Sequence, residues 1–300
     1  MAHVAPAPPL PADVLPKRPN AVRQFIVSQP LGTAGLVMIL VYVGCAFGAA
    51  WIAPFHPEAI DFLAMLTAPG AEHWFGTDQY GRDVFSRIVY GSRTALAVGI
   101  LSAIIGGTLG ALLGAASGYF GGRIDAAIQR LVDIMLSFPL IVLAMVVVAV
   151  LGKRNVAGMD INLITAIALP FIPKMARVAR SSTLSLVQMP FIDAARAAGF
   201  GHARIILRHI APNIVAPYLI MVTAFIAQAI LLEASLSFLG LGVTEPTPAW
   251  GLMLSGTSAD FYHTAPWMIL FPGLAITLAV FAFNLFGDSL RDWLDPKMKG

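Results

Sequence analysis

Charge is scarce in this chain. Only 12% of its 300 residues are Asp, Glu, Lys or Arg, against about 25% in an ordinary soluble domain. Cysteine is scarcer: Cys45 stands alone in an apolar run, so no intramolecular disulfide can form. The phosphate-binding pattern of Gly, four residues, Gly-Lys and Ser or Thr is missing, which excludes a P-loop nucleotide site. No His, Cys or carboxylate grouping has metal-ligand spacing, so no metal is expected. No nucleophile is paired with an oriented base. Ser255 and His263 are close in sequence, but nothing orients them as a hydrolase pair. The net charge of only +3 implies no nucleic-acid partner. These absences leave a protein that is not itself an enzyme and needs no cofactor of its own.

What the chain has in abundance is apolar length. Hydrophobic residues make up 58% of it, and the mean hydropathy is +0.79. The length suits about six spans of ~20 residues with loops between them. The fold class expected is therefore an all-α polytopic membrane protein, with a tail over residues 1–30 and a transmembrane domain over 31–300.

The tail is rich in Pro and Ala and is expected to be disordered or to lie on the membrane surface. The first span is Leu31–Pro54, read as an uncleaved anchor because it exceeds a signal peptide's apolar core. A long mixed-charge connection follows. Thr77 or Asp78 is placed to cap a helix beginning near Asp83. The second span is Thr94–Tyr119, where Gly106, Gly110, Gly114 and Gly118 recur every four residues. Such a stripe lets another helix approach closely, a packing role rather than a substrate path. Phe120–Gln129 reads as a short turn, Arg130–Leu151 holds the third span, and Ile161–Ala179 is the fourth, bent by Pro170 and Pro173. The fifth is Ile214–Gly240 and the sixth Trp267–Phe286. Asp288 is placed to cap a final short helix that Pro296 ends.

With the N-terminus inside, 14 of the 19 Lys and Arg residues fall on the cytosolic side, the bias that sets membrane orientation. Both termini are then cytosolic, as is the stretch 181–213. Lys174, Arg177 and Arg180 fall where the fourth span enters the cytosol.

That stretch is the most unusual part of the chain. Phe191–Ala198 is a short helix former with Pro190 at its start. Gly199 and Gly201 stop it. Arg204–Ile210 forms a second helix, and Pro212 limits how it joins the fifth span. Ala194, Ala195 and Ala198 leave a low-relief face for another protein. His202 and His209 read as surface or contact residues.

Two acids lie at or near membrane depth. Asp133 is near an interface and is expected to pair with a basic residue. Glu233 lies deep in the fifth span, five residues after Gln228. Such an acid is costly and faces a cavity or a partner. It can line a substrate route with Gln228, or hold helices together.

The spacing Asp193-Ala194-Ala195, Gly199 and Pro212 resembles the cytoplasmic loop of binding-protein-dependent ABC importer permeases. That loop reads E-A-A, three residues, Gly, nine residues, I-x-L-P. Asp193 replaces the usual Glu, His209 stands at the Ile position and Ala211 at the Leu position. The stretch HWFGTDQYGRDVFSRIVYGSR, His73 to Arg93, is similar to the region before the second span in the "C"-type permeases of dipeptide and oligopeptide importers. So are LLEASLSFLGLGVTEPTPAWG and the C-terminal FNLFGDSLRDWLDPKMKG.

The resemblance implies a type I ABC importer permease of a bacterial inner membrane. It implies a heterodimer with a "B"-type permease, two cytosolic ATPases that bind the ATP and Mg, and an extracytoplasmic substrate-binding protein. Asp193 to Gly199 would dock on an ATPase, and the solute would be a di- or oligopeptide or a related small compound. The competing reading is a proton-coupled secondary transporter using Glu233 and Asp133.

Overall fold

In the computed structural model, residues 21–156, 159–256, 260–261 and 263–294 are described. The expectations for residues 1–20 and for Pro296 lie outside them. From residue 21 the tail, expected to be disordered or to lie on the membrane surface, is helical: α1 spans Ala21–Ser28. Pro30 then starts α2, Pro30–Ile52, as proline at a first helical position can.

The longest element is α3, Val84–Phe120, followed by α10, Ala211–Phe238, and α12, Trp267–Leu294, of 28 residues each. Asp83 caps α3, accepting from Ser86 N at 2.7 Å. Neither Thr77 nor Asp78 is the cap: Asp78 bonds instead to Tyr80 N, Arg82 N and Arg82 Nε. The helix expected before the second span and the span itself are one rod of 37 residues.

The expected turn at 120–129 is helical from Gly122. It belongs to α4, Gly122–Leu136, which meets α5, Leu140–Leu151, at 92°. Pro139 sits at the corner, where its ring and missing N–H stop α4 from continuing. At 12 residues α5 is roughly 18 Å long, short of a ~30 Å hydrocarbon core, so the third crossing needs both halves.

A two-residue ribbon follows, β1 Asn155–Val156 against β2 Met159–Asp160. The fourth crossing is α6, Ile161–Ala168, then α7, Phe171–Val187, bent by 43° at Pro170. Pro173 sits in the first turn of α7 and makes no second bend. Among the described residues, four helices are long and apolar enough to cross a membrane, and six crossings result if each bent pair is one span.

The stretch expected in the cytosol holds α8, Pro190–Ala197, and α9, His202–Ile205. A wide π turn over Ile206–Ile210 joins α9 directly to α10. Pro212 therefore does not separate the second short helix from the fifth span. Ala211 N reaches Ile206 O, and this wider register accommodates a proline that has no N–H to give. Likewise α12 runs unbroken through Asp288, so the short capped helix expected there is not separate. One short element, α11 at Trp250–Met253, lies in the last outer connection.

The glycine stripe sets the central packing. A methyl group on Gly106, Gly110, Gly114 or Gly118 would come closer than 3.0 Å to the carbonyl oxygens of Ala168, Ile172, Ala176 and Arg180 respectively. Each partner is 62 residues further along the chain. The two ladders climb together, so α3 and the α6–α7 pair run parallel and nearly backbone to backbone. Phe171 stacks on Phe225 of α10, rings 4.6 Å apart, and fills the space beside them.

Apolar burial falls into three levels. The central cluster joins α3, α6, α7, α10 and α12. One end holds Tyr119, Ile192, Ala195, Ile205, Ile210 and Ile214. The other holds Val84, Met253, Ala265 and Met268. The outward faces of α2 and α12 leave Val37, Leu40, Phe47, Leu270 and Phe281 exposed, as suits lipid or a second membrane subunit.

Candidate functional site

The helical turn at 190–210 packs on the C-terminal end of α3. Ile192 and Ala195 of α8 pack with Ile205 and Ile210 against Ala115 and Tyr119. Tyr119 Oη and His202 Nδ1 are 2.8 Å apart. Arg204 lies over the Phe200 ring at 4.0 Å, and the His209 ring stacks with that same ring, centroids 6.1 Å apart. His202 and His209 are thus fixing contacts. Among the described residues no group of three His, Cys, Asp or Glu is placed to hold a metal.

Gly199 makes the turn with φ +76°, and an added Cβ would meet nothing within 4 Å. Its requirement is conformational, not spatial. Phe200 N returns to Ala195 O at 3.1 Å and Gly199 N to Arg196 O at 2.9 Å, which closes α8. Gly201 has φ −67° and precedes α9, so only Gly199 acts as the left-handed stop.

The alanine face divides. Asp193, Ala194 and Ala198 are exposed, with Asp193 paired to Arg196 at 3.2 Å. Ala195 is 5% exposed and faces the chain's own cluster. The expectation that Ala195 offers an open docking surface is corrected: its small size is needed inward, against Tyr119 and the isoleucines. Nothing local in the sequence marks Tyr119, Ile205 or Ile210 as the partners of Ala195. The signal available was the apolar spacing of Ile192 and Ala195, which marks an inward stripe.

Two ion pairs brace the same end. Arg180 donates twice to Asp125 at 2.6 Å, and Ser117 also donates to it. Asp133 does find a basic partner, Arg177 Nη2 at 2.6 Å, although both side chains are more than half exposed.

Glu233 and Gln228 are not brought together. Glu233 is 1% exposed and accepts from Ser237 Oγ at 2.7 Å, one turn along its own helix. Ser237 in turn accepts from Val243 N at 3.1 Å. The acid anchors the outer end of α10 to the connection that follows and does not bridge two helices. Gln228 is exposed on another face, where Lys174 Nζ donates to it at 3.2 Å. Lys174 thus lies beside the middle of α10, well inside the apolar zone, and not at the cytosolic edge as the charge pattern suggested.

Residues 106–300 match the family model described as "Binding-protein-dependent transport system inner membrane component". The chain belongs to that family. The permease is 46% identical to the glutathione transport system permease protein GsiD of Escherichia coli O6:K15:H31 (strain 536 / UPEC), over 93% of this chain and 90% of that one. The GsiD of Shigella boydii serotype 4 (strain Sb227) matches to the same extent. A solved structure of the MetNI methionine ABC transporter in inward-facing form has a similar fold. Its TM-score is 0.53 at 18% identity, covering 70% of this chain and 98% of that chain.

The protein is accordingly an inner-membrane permease component of a binding-protein-dependent ABC importer, with the type I permease fold. A proton relay through Glu233 and Asp133 is not favoured. One acid is sealed in a hydrogen bond within its own helix, and the other is paired at the opposite end of the fold.

Proposed function

We propose that this permease forms half of the route for a short peptide or a peptide-like solute, glutathione among them, and pairs with a related "B"-type permease. Two cytosolic ATPases drive it and supply the ATP and Mg sites. An extracytoplasmic binding protein delivers the solute. The observation that carries the coupling role is the rigid mounting of α8. Asp193, Ala194 and Ala198 face outward, while Ile192 and Ala195 lock the same helix onto Tyr119 of α3.

A force applied to the outer face of α8 would reach α3 without loss, and α3 lies against the α6–α7 pair along its glycine stripe. Closure of the ATPase pair on ATP would then shift the population between inward-facing and outward-facing states as a nearly rigid movement. Lys174 and Gln228, polar and half-exposed or exposed at mid-depth, support a solute path along that side of α7 and α10. Glu233 belongs to the framework of α10.

The test is uptake of labelled glutathione and of dipeptides in cells carrying the whole system. Uptake that continues without ATP, or that collapses with the proton gradient while ATP is intact, overturns the reading. Co-purification of ATPases with the permease checks the assembly.

A further inference from the structure

One side of α7 carries charge at membrane depth. Lys174, Arg177 and Ser181 follow one another at spacings of three and four, so they share a face of the helix. Arg177 and Ser181 are exposed and Lys174 is half-buried. The opposite side packs on α3, where methyl groups on Gly110, Gly114 and Gly118 would meet Met175, Ala179 and Thr183. The polar face therefore points away from the glycine stripe.

The same contacts give its depth. Gly110, level with Ile172 and Met175, lies ten residues or roughly 15 Å from the end of α3 at Phe120. That is the middle of a ~30 Å hydrocarbon core. A lysine near a helix end can stretch its ammonium to the interface, but one at this depth cannot. A charge so placed faces water or another protein group, not lipid.

Lys174 is also unbalanced. Its Nζ donates to Gln228 Oε1 at 3.2 Å, a neutral acceptor on an exposed position of α10. Among the described residues no carboxylate lies within ion-pair distance of it. The acids in the same part of the fold are committed elsewhere. Arg177 holds Asp133 at 2.6 Å, and Glu233 is 1% exposed and accepts from Ser237. An uncompensated ammonium beside low-dielectric walls produces a positive potential that draws anions and repels cations. Its one bond to an amide is readily exchanged for a charge-assisted bond to an anion, which is about twice as strong.

We propose that Lys174 is a specificity-determining residue of the solute path, which passes solutes of net negative charge faster than neutral or cationic ones. Gln228 holds the ammonium toward the path when no solute is there, and an anionic group of the solute replaces it in transit. This role rests on the importer reading and adds to it the charge preference of the path.

The test uses the assembled importer in lipid nanodiscs, open to reagents from both sides. The permease carries Cys45→Ser and a reporter, Leu231→Cys. Leu231 is 52% exposed and stands one turn from Gln228 on the same face. The readout is the ratio of reaction rates with an anionic and a cationic methanethiosulfonate, sulfonatoethyl and trimethylammonioethyl. Each rate is divided by that with a free thiol, after labelling of discs without the reporter is subtracted. The parent ratio should exceed one. Lys174→Met should lower it about tenfold, the effect of removing one charge at roughly 8 Å in a partly hydrated site. Lys174→Arg should keep it, and so should Gln228→Leu, since the amide carries no charge. In vesicles with saturating binding protein, Lys174→Met should also slow uptake of Ala-Glu more than that of Ala-Gln.

A parent ratio at or below one, or a ratio unchanged in Lys174→Met, overturns the proposal. So does a ratio that falls equally in Lys174→Arg, or a reporter that stays unreactive both at rest and with ATP trapped by vanadate. The importer reading fails on a different measurement, uptake that does not need ATP.

Discussion

Replacing Gly114 by alanine should destabilise this permease, although the same exchange stabilises most helices. Alanine is favoured over glycine within a helix by about 0.5–1 kcal/mol. At Gly114 the added methyl would approach the carbonyl of Ala176 and lie 2.8 Å from Ala179 Cβ. Ordinary contact begins near 3.4 Å, so α7 has to retreat. The obstacle is backbone and cannot rotate away, as a side-chain tip would. Overpacking of this kind costs roughly 1–3 kcal/mol or more. Because the two ladders are in register, a retreat at Gly114 also loosens the contacts at Gly110 and Gly118, where dispersion falls steeply with distance. The net expectation is a loss of ~1–2 kcal/mol, after the helix gain is subtracted from that cost.

Gly44 of α2 and Gly273 of α12 are the controls. Neither would meet an atom within 4 Å, so Gly44→Ala and Gly273→Ala should be neutral or mildly stabilising. The assay is the thermal unfolding midpoint in detergent, followed by far-ultraviolet circular dichroism and by recovery of monodisperse protein. A Gly114→Ala midpoint equal to or above the parent's, in line with the two controls, would refute the close-packed reading of α3 and α7.

The cytosolic turn yields a contrast between neighbours: Asp193→Lys and Ala194→Arg should leave the permease folded and weaken ATPase co-purification, while Ala195→Arg should lower the yield of folded protein itself; Asp193→Glu should be tolerated. Gly199→Val places a β-branched residue at φ +76°, at a cost of at least about 1–2 kcal/mol, and should uncouple ATP hydrolysis from uptake in reconstituted vesicles without changing the melting of the membrane helices. In a Cys45→Ser background, a cysteine at exposed Thr247 should react with an impermeant thiol reagent in intact cells and one at exposed Ser185 should not; labelling at Ser185 would reverse the orientation.

Much of the fold is legible along the chain because hydropathy is a local property. Apolar length alone marks the segments that must leave water, and each must satisfy its backbone internally, which means helix. The bias of basic residues orients them without any knowledge of packing. The positive φ of Gly199 is equally local: a helix stop followed by a turn calls for the one residue without a Cβ. The spacing from Asp193 to Pro212 needs only counting.

Other features depend on residues far apart in sequence, and only the tertiary structure decides them. Whether Ala195 faces a partner or the interior depends on Tyr119 and Ile205. The position of Lys174 is set by α7 reaching Gln228 across the bundle, against what its place in a run of basic residues suggested. The 92° corner at Ser137–Pro139 turns an apparently continuous span into two pieces, because a proline's effect on direction depends on what each half packs against. The four glycines announce a close approach, but their partners, the carbonyls of Ala168 to Arg180, come from helices 62 residues away. Arg87 is unremarkable in composition. Its place between Asp78 and Glu245 exists because the segment before α3, α3 itself and the last outer connection converge on one cavity.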